Sequence, residues 1–106
     1  MKITDVSLTL FAWGGIPPTT CGRHTGRFSG KSQLGLLTVR TDEGVEGHAF
    51  LGSAQRGAHL DGESLIQFLK PVVMDQNPLD RERLYQGLWS RSRATTYRAI
   101  GAMDVA

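Results

Sequence analysis

Basic side chains gather in one stretch of the chain that lacks acids. No acidic residue occurs between Asp5 and Asp42, and four basic groups lie close together within this interval: Arg23, His24, Arg27 and Lys31. A cationic run of this kind is suited to facing an anion, although a solvated surface is an equally good interpretation. The sequence therefore offers a candidate anion-binding segment and leaves open whether it binds anything.

A second acid-free run contains Arg91, Arg93 and Arg98 and allows the same two interpretations. The whole chain carries 12 Lys and Arg residues against 10 Asp and Glu residues, a formal charge of +2. Such a small excess does not indicate a polycation built for nucleic acid. Phe28 is the only aromatic residue in the first basic stretch, so base stacking of the kind used by single-strand binders has little support.

The segment TGRFSGKS is close to a phosphate-binding loop but does not match it. The motif Gly-x-x-x-x-Gly-Lys-Ser requires glycine where this chain has Thr25, and Gly26 is one residue too close. A phosphate loop also opens a helix, whereas the residues after Ser32 have the pattern of a strand. Nucleotide binding by this segment is not expected.

The histidines and the cysteine show no pattern of a metal or catalytic site. His24, His48 and His59 do not fall at ligand spacing, and Cys21 has no second cysteine and no identifiable base beside it. A single cysteine excludes an internal disulfide and fits a reducing compartment, so a cytoplasmic location is expected. No segment reaches the roughly 18 apolar residues of a membrane span.

Asp104 is the acidic residue with the least polar surroundings in the sequence. It lies among Ala and Met residues in a segment with helical spacing. Charged side chains are rarely buried without a partner. We therefore expect Asp104 to be hydrogen-bonded or ion-paired, with a direct chemical role as the less favoured alternative.

Hydrophobic periodicity places these groups on a sheet and its loops. Residues Lys2 to Trp13 alternate between apolar and polar types, as a half-buried strand does. Gly14 to Lys31 has no periodicity and is rich in Gly, Pro, Thr and Ser, which predicts an unusually long loop. Two further strands, Gln33 to Thr41 and Val45 to Leu51, are joined by a turn whose Gly44 can take a left-handed conformation.

Helical spacing begins after the last strand. It predicts a first helix from about Leu60, which Pro71 bends or ends. The dipeptide Asn77-Pro78 predicts the start of a second helix, and a third is expected from about Thr95. Three strands followed by helices favour an α+β fold, in which a three-stranded antiparallel meander sheet packs against a helical half.

The last residues predict a helix with a buried face and no end signal. Small and apolar side chains recur there at spacings of three and four residues, at Ala99, Ala102, Met103 and Ala106. Neither Gly, Asn nor Pro follows Met103 to end the helix. We therefore expect one domain, residues 1–106, truncated within its last helix.

Three segments, in this order, resemble the amino-terminal capping domain of the enolase superfamily, in its mandelate racemase and muconate lactonizing enzyme group. The hairpin LLTVRTDEGVEG resembles the valine-rich strand, turn and glycine-ending strand of that domain. NPLDRERLYQGLW resembles its second helix, and AIGAMDVA resembles the start of its last helix, Ala-x-x-Ala-x-Asp-x-Ala-Leu-Trp-Asp. The resemblance covers nearly the whole chain.

The resemblance implies a lyase or isomerase that removes a proton α to a carboxylate, such as an acid-sugar dehydratase or a racemase. In that family the catalytic residues and the ligands of the essential Mg²⁺ lie on a modified (β/α) barrel, which this chain does not contain. No catalytic or metal-binding residue is therefore expected in these residues, and the chain alone is expected to be inactive. The full-length enzyme would be a cytoplasmic homo-oligomer acting on a carboxylate-containing small molecule.

In the same family, the loops after the first and third strands lie over the barrel mouth. They correspond to Gly14 to Lys31 and Leu51 to Gly57 in this sequence. Because guanidinium groups pair well with carboxylates, the resemblance implies a set of substrate-binding residues in these loops: Arg23, His24, Arg27 and Arg56.

One segment departs from the family pattern. The third strand of family members often ends with Gly-x-Gly-Glu, whereas this chain has Gly47-His48-Ala49-Phe50. Sheet packing or surface exposure is expected for His48 and Phe50, with a role in shaping the pocket as the alternative. The competing function is a free-standing module that binds a polyanion or nucleic acid through the Arg-rich loop.

Overall fold

A computed structural model describes residues 1–14, 17, 19–20, 27–28, 32–53 and 56–106. Strands precede helices along the chain. The strands are β1 (Ile3–Trp13), β2 (Thr19–Thr20), β3 (Arg27–Phe28), β4 (Ser32–Thr41) and β5 (Glu46–Leu51). The helices are α1 (His59–Ser64), a π-helical turn (Leu65–Leu69), α2 (Lys70–Val73), α3 (Arg81–Trp89) and α4 (Tyr97–Val105). The predicted α+β class is confirmed.

The main sheet is an antiparallel meander with the strand order β1-β4-β5. Leu8 of β1 lies opposite Leu37 of β4, which in turn lies opposite Ala49 of β5. The turn between β4 and β5 contains Gly44 with a φ of +79°, the left-handed conformation that glycine adopts without steric cost. Both the long first strand and the hairpin predicted from the sequence are therefore confirmed.

Side chains alternate between the two faces of this sheet, and one face forms the core with the helices. Val6 and Leu37 are almost fully buried on that face, whereas Phe50 on the opposite face is 74% exposed. The helices contribute the other half of the core through a set of apolar side chains: Leu65, Leu69, Val73, Leu88, Ile100 and Met103. Removal of this apolar surface from water is the main stabilising contribution.

The stretch predicted as a long loop without periodicity contains a small hairpin. Thr19 pairs with Phe28, and Thr20 pairs with Arg27, in a separate two-stranded sheet. The prediction of an unstructured loop is corrected at these four positions. Strands of two residues are too short for apolar and polar types to alternate, so hydrophobic periodicity cannot reveal them.

Pro71 does not end the first helix, because it lies within α2. The π-helical turn Leu65–Leu69 directly precedes α2, and the helix continues past Pro71 to Val73. In an α-helix the proline ring would collide with the carbonyl of Gln67, four residues earlier. A π-helical turn accommodates one additional residue. The turn Leu65–Leu69 contains Gln67 and therefore lies where this collision would occur.

The second predicted helix begins three residues later than Asn77-Pro78 indicated. Asn77 Oδ1 accepts a hydrogen bond of 3.0 Å from the backbone N–H of Leu79. The backbone N–H of Asp80 donates to the carbonyl of Asn77 at 3.1 Å. Asn77 therefore closes a turn through its side chain, and α3 starts at Arg81.

The last helix has the face that its spacing predicts. Ala99, Ala102 and Met103 are buried, and the Thr96 side chain accepts a hydrogen bond from the N–H of Ala99, as an N-cap does. Asp104 is paired with Arg81 at 3.6 Å, which confirms the predicted ion pair. Within the described residues, no helix has the length and apolar character needed to cross a membrane.

Candidate functional site: the loop after the third long strand

The loop after β5 begins at a glycine. Any other residue at this position would require a shift of the backbone. Gly52 has a φ of +99°. A Cβ atom at this position would lie 2.7 Å from the carbonyl oxygen of Gln33 and 3.0 Å from the Ala58 backbone nitrogen. The N–H of Ala58 also donates to the carbonyl of Gln33 at 3.0 Å. The two ends of the loop are thus held against the start of β4.

A tight turn forms the described part of this loop. The N–H of Ser53 donates to the carbonyl of Arg56 at 2.8 Å. The N–H of Arg56 donates in return to Ser53 Oγ at 3.2 Å. Arg98, on the first turn of α4, donates from Nη1 to the same Oγ at 3.1 Å. These bonds tie the turn to α4 across the sequence.

The Arg56 side chain is bound to a buried carboxylate. Its Nε lies 3.0 Å from Oδ1 and 3.1 Å from Oδ2 of Asp61, and its Nη2 lies 2.9 Å from Oδ1. The Asp61 side chain is 0% exposed, while the Arg56 side chain is 40% exposed. The hydrogen bond that Arg56 donates to Asp61 and the negative charge of Asp61 raise the pKa of Arg56 above its usual value, so the guanidinium stays charged.

Asp61 is itself held by the start of α4. Thr96 Oγ1 donates to Asp61 Oδ1 at 3.0 Å and accepts from the N–H of Ala99 at 3.2 Å. Ser64 Oγ lies 3.0 Å from the carbonyl of Asp61 and 2.9 Å from the hydroxyl of Thr95. We call the three side chains of Arg56, Asp61 and Thr96 the Asp61 clamp. It joins the loop, α1 and α4 through one carboxylate.

The clamp uses one edge of the Arg56 guanidinium. Arg56 uses Nε and Nη2 to bind Asp61, and no hydrogen bond among the described residues uses its Nη1. A planar guanidinium with a second edge can bind a carboxylate while the first edge remains paired. The geometry is compatible with the substrate-binding role predicted for Arg56, which stays a prediction.

The structure does not describe the side-chain positions of the other three predicted binding residues. Arg23 and His24 lie outside the described residues. Arg27 is described through its backbone, which pairs with Thr20 in the small hairpin. Their convergence with Arg56 on one ligand therefore remains a prediction.

His48 and Phe50 lie on the sheet face opposite the helices. The residues between and beside them, Ala49 and Leu51, are buried on the core face. His48 Nδ1 lies 3.1 Å from Thr38 Oγ1, and Phe50 is 74% exposed. Both side chains lie on the surface of this chain. Their role in shaping a pocket would depend on contacts outside this chain, and it stays a prediction.

The described part of the chain holds no group of three or more His, Cys, Asp or Glu side chains that could bind a metal ion. The arginines of the second basic run, Arg91, Arg93 and Arg98, are all exposed, and Arg98 donates a hydrogen bond to Ser53 Oγ.

A cavity of about 320 Å³ lies between α3 and α4, away from the Gly52 loop. Its walls are mainly apolar and include Ile3, Leu84 and Met103. Arg81 and Asp104, which pair at 3.6 Å, supply the charged part of the lining.

Sequence reasoning singled out Arg56 but missed its partners Asp61 and Thr96. An acid beside glycine in HLDGES has the appearance of a solvated helix residue, and Thr96 lies 35 positions further along. The Thr95-Thr96 pair before an apolar helical run is a signal for an N-cap. It could have identified Thr96 as a structural residue, but not its bond to Asp61.

The chain is similar to known proteins in its structure, although not in its sequence profile. No family profile matches the sequence, and no curated protein does so either. Solved structures do match: the chain is similar to D-glucarate dehydratase from Agrobacterium tumefaciens, solved with magnesium, at 28% identity and a TM-score of 0.65, over 93% of this chain and 25% of that chain.

Two further structures are similar at lower identity. The muconate lactonizing enzyme from Mycobacterium smegmatis, solved with muconolactone, shows 18% identity and a TM-score of 0.81 over 98% of this chain and 28% of that chain. The N-succinyl Arg/Lys racemase from Bacillus cereus shows 22% identity and a TM-score of 0.77 over 100% of this chain and 29% of that chain.

The chain thus has the fold found in one part of much longer enzymes. It spans between 25% and 33% of the length of the solved chains that it matches. That share fits an amino-terminal capping domain. The resemblance to the capping domain of the enolase superfamily, which three sequence segments predicted, is confirmed by these similarities.

Proposed function

We propose that residues 1–106 form the substrate-recognising capping domain of a Mg²⁺-dependent enzyme of the mandelate racemase and muconate lactonizing enzyme group. The supporting observation is the similarity to D-glucarate dehydratase, which extends over 93% of this chain but 25% of that one. A barrel domain of the same polypeptide would supply the remainder of the enzyme. The proposed reaction begins with removal of a proton α to a carboxylate.

The tasks of the two domains differ in this proposal. The catalytic base and the Mg²⁺ ligands are assigned to the barrel domain, as the resemblance to the capping domain implies. The capping domain excludes water from the barrel mouth and orients the substrate. Its proposed contacts with a substrate carboxylate come from four residues: Arg23, His24, Arg27 and Arg56.

Two properties of the Gly52 loop support this role. Ala58 is bonded to Gln33, Ser53 to Arg98 and Arg56 to Asp61, so Arg56 has a defined position. Arg56 also keeps a charged side chain that is 40% exposed. A cation that is fixed in place and still accessible is suited to recognising an anionic substrate.

An acid-sugar dehydratase is the preferred reaction within this class, and a racemase or other isomerase is the alternative. The dehydratase is preferred because the structure that shares 28% identity with the chain is a D-glucarate dehydratase. We further propose that the enzyme is a cytoplasmic homo-oligomer.

The test is to assay the protein expressed from its complete reading frame with a panel of sugar acids that begins with D-glucarate, in the presence of Mg²⁺. Turnover that stops when a chelator removes the metal is expected. Arg27→Ala and Arg56→Ala should raise KM, whereas Arg93→Ala, which removes an exposed arginine outside both loops, should not. Absence of turnover together with salt-sensitive binding of DNA or RNA would favour a polyanion-binding module instead.

A further inference from the structure

We propose that Asp61 is a positioning residue. Through its ion pair with Arg56, it holds the guanidinium in the orientation in which Arg56 binds a carboxylate of the substrate. This inference rests on the proposed function, because it assigns a second, internal component to the binding site of the capping domain. Asp61 itself touches no ligand, since its side chain is 0% exposed.

The contacts between the two side chains define one orientation of the guanidinium. Nε is shared between Oδ1 and Oδ2 of Asp61, at 3.0 and 3.1 Å, and Nη2 adds a contact of 2.9 Å. This side-on arrangement uses the edge of the fork nearest the Cδ atom. It therefore fixes the direction in which the remaining edge points. In an unpaired arginine that direction would vary, because the side chain rotates about several bonds.

Asp61 can act as a fixed reference because its own position is determined from a distant part of the chain. Its Oδ1 accepts from Thr96, the N-cap of α4. The helix that follows Thr96 is packed into the core through Ala99 and Ile100. The orientation of Arg56 is consequently tied to the rigid core rather than to the loop alone.

A ligand carboxylate gains from this arrangement because the ordering of Arg56 is completed before binding. A long side chain that is held in its bound conformation loses less freedom when it binds. The charge of Arg56 also remains attractive to a second anion, since the guanidinium stays protonated beside Asp61. A stabilising ion pair with no role in binding is the alternative to be tested.

The experiment measures the reaction of Arg56 with phenylglyoxal in the protein expressed from its complete reading frame, with D-glucarate as the probe ligand. Peptide mass spectrometry gives the modification rate of Arg56 alone. D-glucarate is expected to slow that rate about fivefold in the wild type, because a bound carboxylate covers the free edge of the guanidinium. In Asp61→Asn this protection is expected to disappear, and KM for D-glucarate is expected to rise about tenfold with kcat little changed.

Glu63→Gln is the matched control, because Glu63 is an exposed acid on the same helix, two residues from Asp61. It should retain the protection and the KM of the wild type. If D-glucarate fails to protect Arg56 in the wild type, or still protects it in Asp61→Asn, the inference is wrong. A KM that does not change in Asp61→Asn would likewise show that the ion pair only stabilises the fold.

Two precautions keep the test decisive. If Asp61→Asn does not fold, Thr96→Val, which deletes the hydroxyl bound to Asp61, should weaken the protection in the same direction, while Thr96→Ser should preserve it. Failure of the proposed function is recognised separately, as absence of Mg²⁺-dependent turnover in the wild type. Protection of Arg56 by D-glucarate is measured without turnover and therefore decides the positioning role on its own.

Discussion

Replacing Asp61 by asparagine is expected to lower the free energy of unfolding by about 2 kcal/mol, because hydrogen bonds to a charged group contribute about 1.5–3 kcal/mol each and neutral ones about 0.5–1.5 kcal/mol. Asparagine keeps the size of the side chain and an oxygen that can still accept from Thr96. It loses the negative charge that faces Arg56 and turns an NH₂ group toward one side of the pair. Because Asp61 is 0% exposed, water cannot replace the lost carboxylate, whereas the exposed part of Arg56 can recover some hydration.

Urea unfolding followed by circular dichroism measures this change, with the dependence on urea compared between variants to confirm that the same surface is exposed. Glu63→Gln is the control and should lie within about 0.5 kcal/mol of the wild type, as exposed substitutions usually do. Replacing both partners, as in Arg56→Met with Asp61→Leu, should recover much of the stability, because buried ion pairs are often matched by apolar residues. An Asp61→Asn variant as stable as the wild type would refute the reasoning that the clamp holds the loop.

Four further substitutions test other parts of the structure. Gly44→Ala should lower the free energy of unfolding in urea by about 1 kcal/mol, because of its left-handed φ alone. Gly52→Ala should lower it by more, because its Cβ would also lie 2.7 Å from a carbonyl oxygen. Equal losses of stability in the two variants would contradict this reasoning. The hydrogen bond from Lys70 lowers the pKa of Asp5, so Lys70→Met should raise that pKa toward the ordinary value of an aspartate in an NMR titration. Lys70→Met should therefore be less stable than the wild type at neutral pH, by under about 1 kcal/mol for such an exposed pair. This difference in stability should vanish as the pH falls through the lowered pKa of Asp5. Leu65→Ala should cost about 3 kcal/mol in thermal or urea unfolding, because a fully buried leucine leaves a cavity; a loss below about 1 kcal/mol would show that the π-helical turn closes around it.

Local patterns were sufficient to predict the sheet and the last helix. Apolar and polar types alternate along β1, and the alternation of side chains between two faces is a property of each strand by itself. Gly44 indicates the hairpin because the left-handed turn between the strands depends on that residue alone. The buried face of α4 follows in the same way from a spacing of three and four residues.

Predictions failed where a contact between side chain and backbone, or between distant residues, decided the structure. The side chain of Asn77 closes a turn, so the helix starts at Arg81, although Asn-Pro is also a common helix start. Asp61 becomes a buried clamp because the fold brings Thr96 to it from 35 positions away. Neither outcome is encoded in the type and spacing of neighbouring residues.

The order β1-β4-β5 leaves β1 at one margin of the sheet. Near its beginning, the backbone of Ile3 bonds to Gln76 and Asp75, which covers this end of the strand. Further along, the described residues provide no such cover, and Phe11 there is 48% exposed. Unpaired backbone groups along a long outer strand are a template for another chain. At high concentration, copies of this domain studied in isolation should therefore associate by strand addition along the second half of β1, and a lysine at Thr9 should suppress that association.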